Sequence, residues 1–348
     1  MKFYTLKIID IREETRDCLT IKFKQPGLKQ IKYLAGQYLS LIFRINGRRY
    51  VRPYSFSSAP GVEETLNITI KRVPGGVVSN HILDKLKLGD IIEVMEPMGD
   101  FILTDDASSL NSHIFLWGAG SGITPLISIA KYALHNNKAG LITLIYGNRH
   151  YENIIFRDEI TALKKAFMPK FSAQHFVTQP FIDKLNPDVV MGRIAEQQVK
   201  SILAKNGINL NNAFHYICGP AGLKESVKSV LSELGVEGNK VFSEDFEIKR
   251  DLKELENILT RNVLIEKNGQ TFNVEVVKGK SILEAGLDSL IELPYSCQTG
   301  NCLVCKGRLI KGEIKMIGLQ KLPLELMPDE YLLCCSFPLD DMVEIIAD

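Results

Sequence analysis

The sequence predicts a multi-domain fold: an antiparallel β-barrel, then a parallel α/β layer, then a small mixed α+β module. Three patterns predict it. Short alternating segments broken by Gly and Pro run from residue 3 to about 104, apolar strands alternate with helices over 113–246, and a hairpin, a helix and a cysteine loop follow after 260. At 348 residues the chain exceeds one ordinary core, so the expected division is 1–105, 106–246, a linker over 247–260, and 261–348.

In the first part, Leu66-Asn67-Ile68-Thr69-Ile70-Lys71 alternates and stops at Pro74-Gly75-Gly76, as a barrel strand and its turn would. One helix interrupts, with Ser79 as its N-cap ahead of Ile82, Leu83 and Leu86 and with Gly89 near its end. In the second part strands are expected at 113–117, 141–146, 173–177 and 215–218, with helices such as 125–134 and 223–234 between them. The segment 247–260 is rich in mixed charge and lacks Gly and Pro, which suits a linker with some helix. Beyond it, 262–265 and 272–276 flank Asn268-Gly269, a strong hairpin signal. Ser281 and Glu284 stand three apart, as in a capping box, before a short helix ending near Leu287.

Lys plus Arg (42) nearly balance Asp plus Glu (41), for a net charge of +1. That balance argues against nucleic acid or an anionic membrane as the main partner. The first residues read as a strand rather than a secretory segment, and no apolar run is long enough to span a bilayer, so a cytoplasmic protein without membrane insertion is expected. Seven cysteines in such a protein favour metal or redox chemistry over disulfides, with Cys18 read as a small buried residue.

Four of these cysteines, Cys297, Cys302, Cys305 and Cys334, leave gaps of four, two and twenty-eight residues, the ligand spacing of a plant-type [2Fe–2S] cluster. Each iron takes two thiolates besides the bridging sulfides, and Gly300 gives the short loop the backbone freedom to wrap around them. The rival is a structural zinc on four thiolates, but zinc sites usually come as two close pairs, and here three cysteines crowd into nine residues. Cys334 and Cys335 compete for the fourth place; neighbours on an extended strand point to opposite faces, so only one would look at the iron. Hairpin, helix and cysteine loop together suggest a β-grasp ferredoxin module.

Other strings suit nucleotide-like ligands. Arg52-Pro53-Tyr54-Ser55, after Ala35-Gly36-Gln37-Tyr38, offers a cationic fork, a flat ring and a small hydroxyl, which a flavin requires and an ordinary strand also contains. Gly76-Val77-Val78-Ser79 leads into the first helix, where free amides and the helix dipole suit a pyrophosphate; an ordinary capped helix is the alternative. Trp117-Gly118-Ala119-Gly120-Ser121-Gly122-Ile123-Thr124-Pro125 links a strand to a helix, but Ile123 stands where the Rossmann fingerprint needs its third glycine. Cys218-Gly219-Pro220 makes a second strand-to-helix turn in the same layer, and Glu244 ends its last strand. Ligands of open parallel sheets sit beyond the carboxyl ends of the strands, so both turns are candidates for one crevice.

These strings, in this order over nearly the whole chain, resemble the ferredoxin–NADP reductase superfamily. The resemblance implies FAD, with Arg52 on its phosphate, Tyr54 stacked on the isoalloxazine, Ser55 beside flavin N5, and Gly76 and Ser79 at the pyrophosphate. It implies NAD(P)H as electron donor, held by Gly120, Gly122 and Pro125, with Cys218, Gly219 and Glu244 at the nicotinamide. Arg149 and Arg193 are candidates for a 2′-phosphate, whereas Thr178-Gln179 stands where NADP-specific relatives have Ser-Arg, so NADH and NADPH both stay open.

With the iron–sulfur module at the C-terminal end, the chain resembles reductase components of multicomponent oxygenases, of the phenylacetyl-CoA epoxidase and ketosteroid hydroxylase type. Their last cysteine precedes a proline with three residues between, which selects Cys334 ahead of Pro338. Leu303-Val304 replaces the small or hydroxylic pair of relatives, so no relative's reduction potential carries over. The implied function is a reductase. It passes electrons from NAD(P)H through FAD and the cluster to an oxygenase; the alternatives are another redox protein, such as a hybrid-cluster protein, or a redox sensor without turnover.

Overall fold

The computed structural model describes residues 1–27, 30–180, 187–205, 210–248, 250–319 and 322–347. They fall into two compact units, Met1–Leu41 with Tyr54–Glu244, and Ile42–Pro53 with the residues from Asp245 on.

The chain opens with β1 (Phe3–Thr15), β2 (Cys18–Phe23), β3 (Tyr38–Ile45), β4 (Arg48–Ser55), β5 (Leu66–Lys71), α1 (Val77–Lys85) and β6 (Ile91–Met95). The strands form one sheet in the order β4-β3-β6-β1-β2-β5. β1 is long enough to serve two neighbours: Phe3 to Lys7 pair with β6, and from Ile8 on it pairs with β2, with register shifts at Ile8/Asp10 and Glu13/Thr15. An isolated bridge from Phe56 to Ile68 on β5 curls the sheet toward closure. Inside lie Leu6, Ile8, Ile21, Phe23, Ile68 and Phe56. α1 starts earlier than expected. Gly76 is its N-cap and Ser79 lies in its first turn, where the Ser79 hydroxyl accepts a hydrogen bond from Val73 N at 3.1 Å.

The rest of this unit contains β7 (Ser109–Ala119), α2 (Ile123–His135), β8 (Ala139–Asn148), α3 (Arg157–Ala166), β9 (Phe171–Val177), β10 (Val189–Met191), α4 (Glu196–Lys205), β11 (Ala213–Cys218), α5 (Ala221–Glu233) and β12 (Val241–Glu244). All six strands are parallel, in the order β10-β9-β8-β7-β11-β12. The period of two explains the layering: Ile114 and Leu116 face a core with α2 and α3, while Phe115 and Trp117 face the other core with α4 and α5. β7 and β11 are neighbours although β8, β9 and β10 lie between them in sequence, so strand order reverses there, and ligands of open parallel sheets bind beyond the carboxyl ends at such a point.

The second unit contains α6 (Leu252–Leu255), β13 (Arg261–Lys267), β14 (Gln270–Val276), α7 (Ile282–Asp288), β15 (Lys306–Lys311), β16 (Ile314–Met316), β17 (Glu330–Leu332), β18 (Ser336–Pro338) and β19 (Val343–Ile346). A mixed sheet runs β14-β13-β19-β15-β17, with β13 and β19 parallel, and β16 pairs with β18. Asn268 and Gly269 both take positive φ, 49° and 76°, as the tight hairpin turn requires. Ser281 and Glu284 form the reciprocal capping box at the start of α7. The segment Ile42–Pro53 joins this unit through Arg44–Glu292 and Arg48–Asp288 ion pairs, each 2.7 Å, and through Val51 N donating to Tyr295 Oη at 2.9 Å. Among the described residues no helix is long and apolar enough to cross a membrane.

Candidate functional site

The loop between α7 and β15 wraps tightly, with Gln298, Gly300 and Leu303 all at positive φ. Cys297, Cys305 and Cys334 are buried and Cys302 is half-buried. Cys297 N points at Cys302 Sγ and Thr299 N at Cys297 Sγ, both at 3.4 Å. The thiols come in two pairs, Cys297 with Cys302 and Cys305 with Cys334. The Cys302 thiol, helped by the amides of Thr299 and Asn301, pulls the Cys297 thiol down to about 5. Cys302 and Cys305 are pushed up, each by its paired thiol and then by burial, so without metal this loop would hold a mixture of thiol and thiolate.

Two pairs of sulfurs fit two irons that each take two thiolates.

The expectation that Cys334 and Cys335 face opposite ways fails. Residues 333–335 form a turn between β17 and β18 rather than extended strand, and the two sulfurs lie 3.5 Å apart. Of the two, Cys334 carries the side-chain contact with Cys305. Arg250, from the linker, is a residue that sequence reasoning missed. Its Nη2 donates to Glu284 Oε2 at 2.8 Å and to Cys334 O at 3.4 Å, its Nη1 to Gly279 O at 3.2 Å, and its guanidinium lies 5.3 Å from the Phe337 ring centre. One cation therefore ties the linker to the capping box and to the backbone of Cys334 in the turn between β17 and β18. Nothing local in a run of mixed charge marks it.

At the sheet's reversal point the two turns touch. A Cβ on Gly122 would stand 2.1 Å from Cys218 O, and one on Gly219 3.1 Å from Ala119 N. α2 and α5 both begin here, and neither N-terminus has a side-chain cap. Tyr146 Oη donates to Gly120 O at 2.8 Å and steadies the glycine loop from below. Two helix starts and a cradle without side chains suit a dinucleotide's anionic groups. Cys218 is fully buried and pairs in register with Glu244; burial first, then the Glu244 charge, pushes its thiol well above the ordinary range. Such a thiol stays protonated and is no nucleophile.

The loops after β8, β9 and β10 are joined by main-chain bonds, Gln179 N to Arg149 O at 2.9 Å and Gly192 N to Val177 O at 2.8 Å. Exposed Arg149 and Arg193 thus share one end of the sheet.

Arg52, Tyr54 and Ser55 lie on β4, with Ser55 buried and the other two half-buried. The Arg52 Nη1 donates to Val51 O at 2.8 Å. The start of α1 carries no side-chain cap, and a Cβ on Gly76 would stand 2.8 Å from Ser79 Oγ. Arg72 holds this helix in place, bonding Asn80 Oδ1 and Asp84 Oδ1 at 2.6 Å each. Sequence reasoning also passes over Lys131 of α2, whose buried ammonium pairs with Glu63 and, at 3.0 Å, with Glu159.

Three family models match in succession: an oxidoreductase FAD-binding domain over residues 5–102, an oxidoreductase NAD-binding domain over 116–229, and a 2Fe-2S iron-sulfur cluster binding domain over 265–339. The chain belongs to the ferredoxin–NADP reductase superfamily. It is an NAD(P)H-dependent flavin and iron–sulfur oxidoreductase of that superfamily.

Its curated relatives include a component of 1,2-phenylacetyl-CoA epoxidase from Escherichia coli (strain K12), 29% identical over 99% of this chain and 98% of the relative. They also include the ferredoxin reductase component of 3-ketosteroid-9-alpha-monooxygenase from Rhodococcus rhodochrous, 28% identical over 98% and 95%. Among solved structures, phthalate dioxygenase reductase shares the fold over 99% of this chain and 98% of its own, with a TM-score of 0.65 at 23% identity.

Proposed function

We propose that this superfamily member is the reductase component of an oxygenase, taking electrons from NADH or NADPH and delivering them singly to an oxygenase protein. One observation carries the reading: three cofactor domains stand in one chain that aligns end to end with components of an epoxidase and of a monooxygenase. The proposed domains are 1–105 for FAD, 106–246 for NAD(P), a 247–260 linker, and 261–348 for the cluster.

When bound, FAD supplies hydride acceptance and single-electron release, and the [2Fe–2S] centre supplies one-electron acceptance. The chain's own residues do the rest. Arg52 anchors the flavin phosphate, Tyr54 packs on its ring, Ser55 stands beside N5, and Gly76 and Ser79 shape the pyrophosphate turn. Gly120, Gly122 and Pro125 shape the nucleotide cradle; Cys218, Gly219 and Glu244 orient the nicotinamide, the protonated Cys218 thiol filling space without attacking it. Arg149 and Arg193 attract a 2′-phosphate where one is present. Cys297, Cys302, Cys305 and Cys334 ligate the cluster.

A second reading sends the electrons to a redox protein that is not an oxygenase. It draws support from 26% identity, over 98% of this chain, to the NADH oxidoreductase HCR of Escherichia coli (strain K12). Purified protein should be mixed with NADH or NADPH and candidate acceptors in turn. Rapid reduction of an oxygenase component supports the first reading, reduction of only a non-oxygenase acceptor supports the second, and no reduction of any acceptor, ferricyanide included, contradicts both.

A further inference from the structure

Five thiols surround a loop whose cluster takes four. We propose that Cys335 is a reserve ligand of the iron–sulfur cluster, able to replace Cys334; this rests on the cluster reading above. Cys335 is fully buried and its Sγ lies 3.5 Å from Cys334 Sγ, because both sit in one turn. Its sulfur also reaches the ligand loop: a Cβ on Gly300, between Cys297 and Cys302, would stand only 2.9 Å from Cys335 Sγ. Leu319 Cδ2 comes closer still, at 2.4 Å, so Gly300, at φ +83°, lets the ligand loop pack directly against Leu319 and the fifth thiol.

The turn does not depend on the Cys334 side chain. Leu333 N donates to Cys305 O, Cys335 N to Leu332 O, and Ile317 N to Cys335 O, each at 2.9 Å. Removing the Cys334 sulfur therefore leaves Cys335 fixed beside the vacated position. The exchange is redox-neutral: the iron–sulfur bond to Cys334 breaks as that thiolate gains a proton, and the Cys335 thiol gives up its proton as its bond to iron forms. Iron keeps its oxidation state throughout.

The test uses the full chain and four variants, Cys334→Ala, Cys334→Ser, Cys335→Ala and the double Cys334→Ala/Cys335→Ala, assayed for iron, labile sulfide, bound flavin and the EPR spectrum of the reduced protein. Cys334→Ala is expected to keep most of its iron and sulfide, and the double variant to lose nearly all of it with flavin retained. Cys334→Ser should match the EPR spectrum of Cys334→Ala, since sulfur and not the new hydroxyl completes the site, and this arm decides the matter if Cys334→Ala fails to fold. Loss of the cluster in Cys334→Ala as complete as in the double variant, or an oxygen-ligated spectrum in Cys334→Ser, overturns the proposal while leaving the cluster reading intact. Wild-type protein without iron or labile sulfide overturns the cluster reading and this inference with it.

Discussion

Replacing Gly122 by alanine tests whether the two turns at the sheet's reversal point form the nucleotide cradle. The new methyl carbon would stand 2.1 Å from Cys218 O, 2.5 Å from Cys218 C and 2.9 Å from Gly219 N, all backbone atoms with no rotamer to yield. Restoring ordinary contact at 3.4 Å parts the turns by roughly 1.3 Å. Overpacking of this kind costs about 1–3 kcal/mol of stability. A displacement near 1 Å in a positioning element costs about a hundredfold in rate. The assay is steady-state ferricyanide reduction with NADH and NADPH, beside thermal unfolding and flavin content. The expected result is a fall in kcat/KM for the nucleotide of about tenfold to a hundredfold with flavin still bound. Gly222→Ala is the control. No atom lies within 4 Å of its new methyl, and a helical alanine there should be neutral or stabilise by about 0.5–1 kcal/mol. Unchanged kcat/KM and melting temperature in Gly122→Ala would refute the reasoning.

Arg250→Ala should cost about 1–3 kcal/mol by removing the guanidinium bonds to Glu284, Gly279 O and Cys334 O, and should lower the cluster's reduction potential by removing a cation near an anionic centre; Arg250→Lys should restore part of that potential in a redox titration. Lys131→Met removes the buried cation between Glu63 and Glu159 and leaves Glu159 the Arg12 contact at 3.8 Å, and chemical denaturation should show a loss of about 1–3 kcal/mol that shrinks as the carboxylates protonate. Burial lowers His113 and His175 to about 4 and His215 to about 3, so these rings are neutral in the fold and protonated first in the unfolded chain. Their stabilisation is complete above the unfolded value near 6.5 and is lost toward pH 4 and 3, at about 1.4 kcal/mol per histidine per pH unit; denaturation curves at pH 7, 5.5 and 4.5 check it, and stability that rises on acidification would contradict it.

Features determined by near neighbours in sequence are the ones that can be read from it. Asn268-Gly269 and the Ser281/Glu284 box are local devices, and each sits in the fold as the pattern suggests. The α1 start differs from expectation because the Ser79 hydroxyl is engaged by Val73 N inside the first turn, and Gly76 stands at the cap instead. The relation of Cys334 to Cys335 differs from expectation because β17 gives way to a turn where an extended strand would have set them on opposite faces. β10 is three residues long, too short to show a period. Arg250 and Lys131 owe their roles to partners far along the chain, and no local pattern distinguishes them from solvated charges.

Paired electrons are held to enter from a nicotinamide and to leave one at a time through a second centre in the same chain. Anaerobic addition of NADH or NADPH to purified protein, followed by visible absorption and EPR, tests this most directly. The predicted result is bleaching of a flavin band together with the EPR signal of a reduced [2Fe–2S] centre. Colourless protein carrying zinc, or flavin that bleaches while no iron–sulfur signal develops, would contradict it.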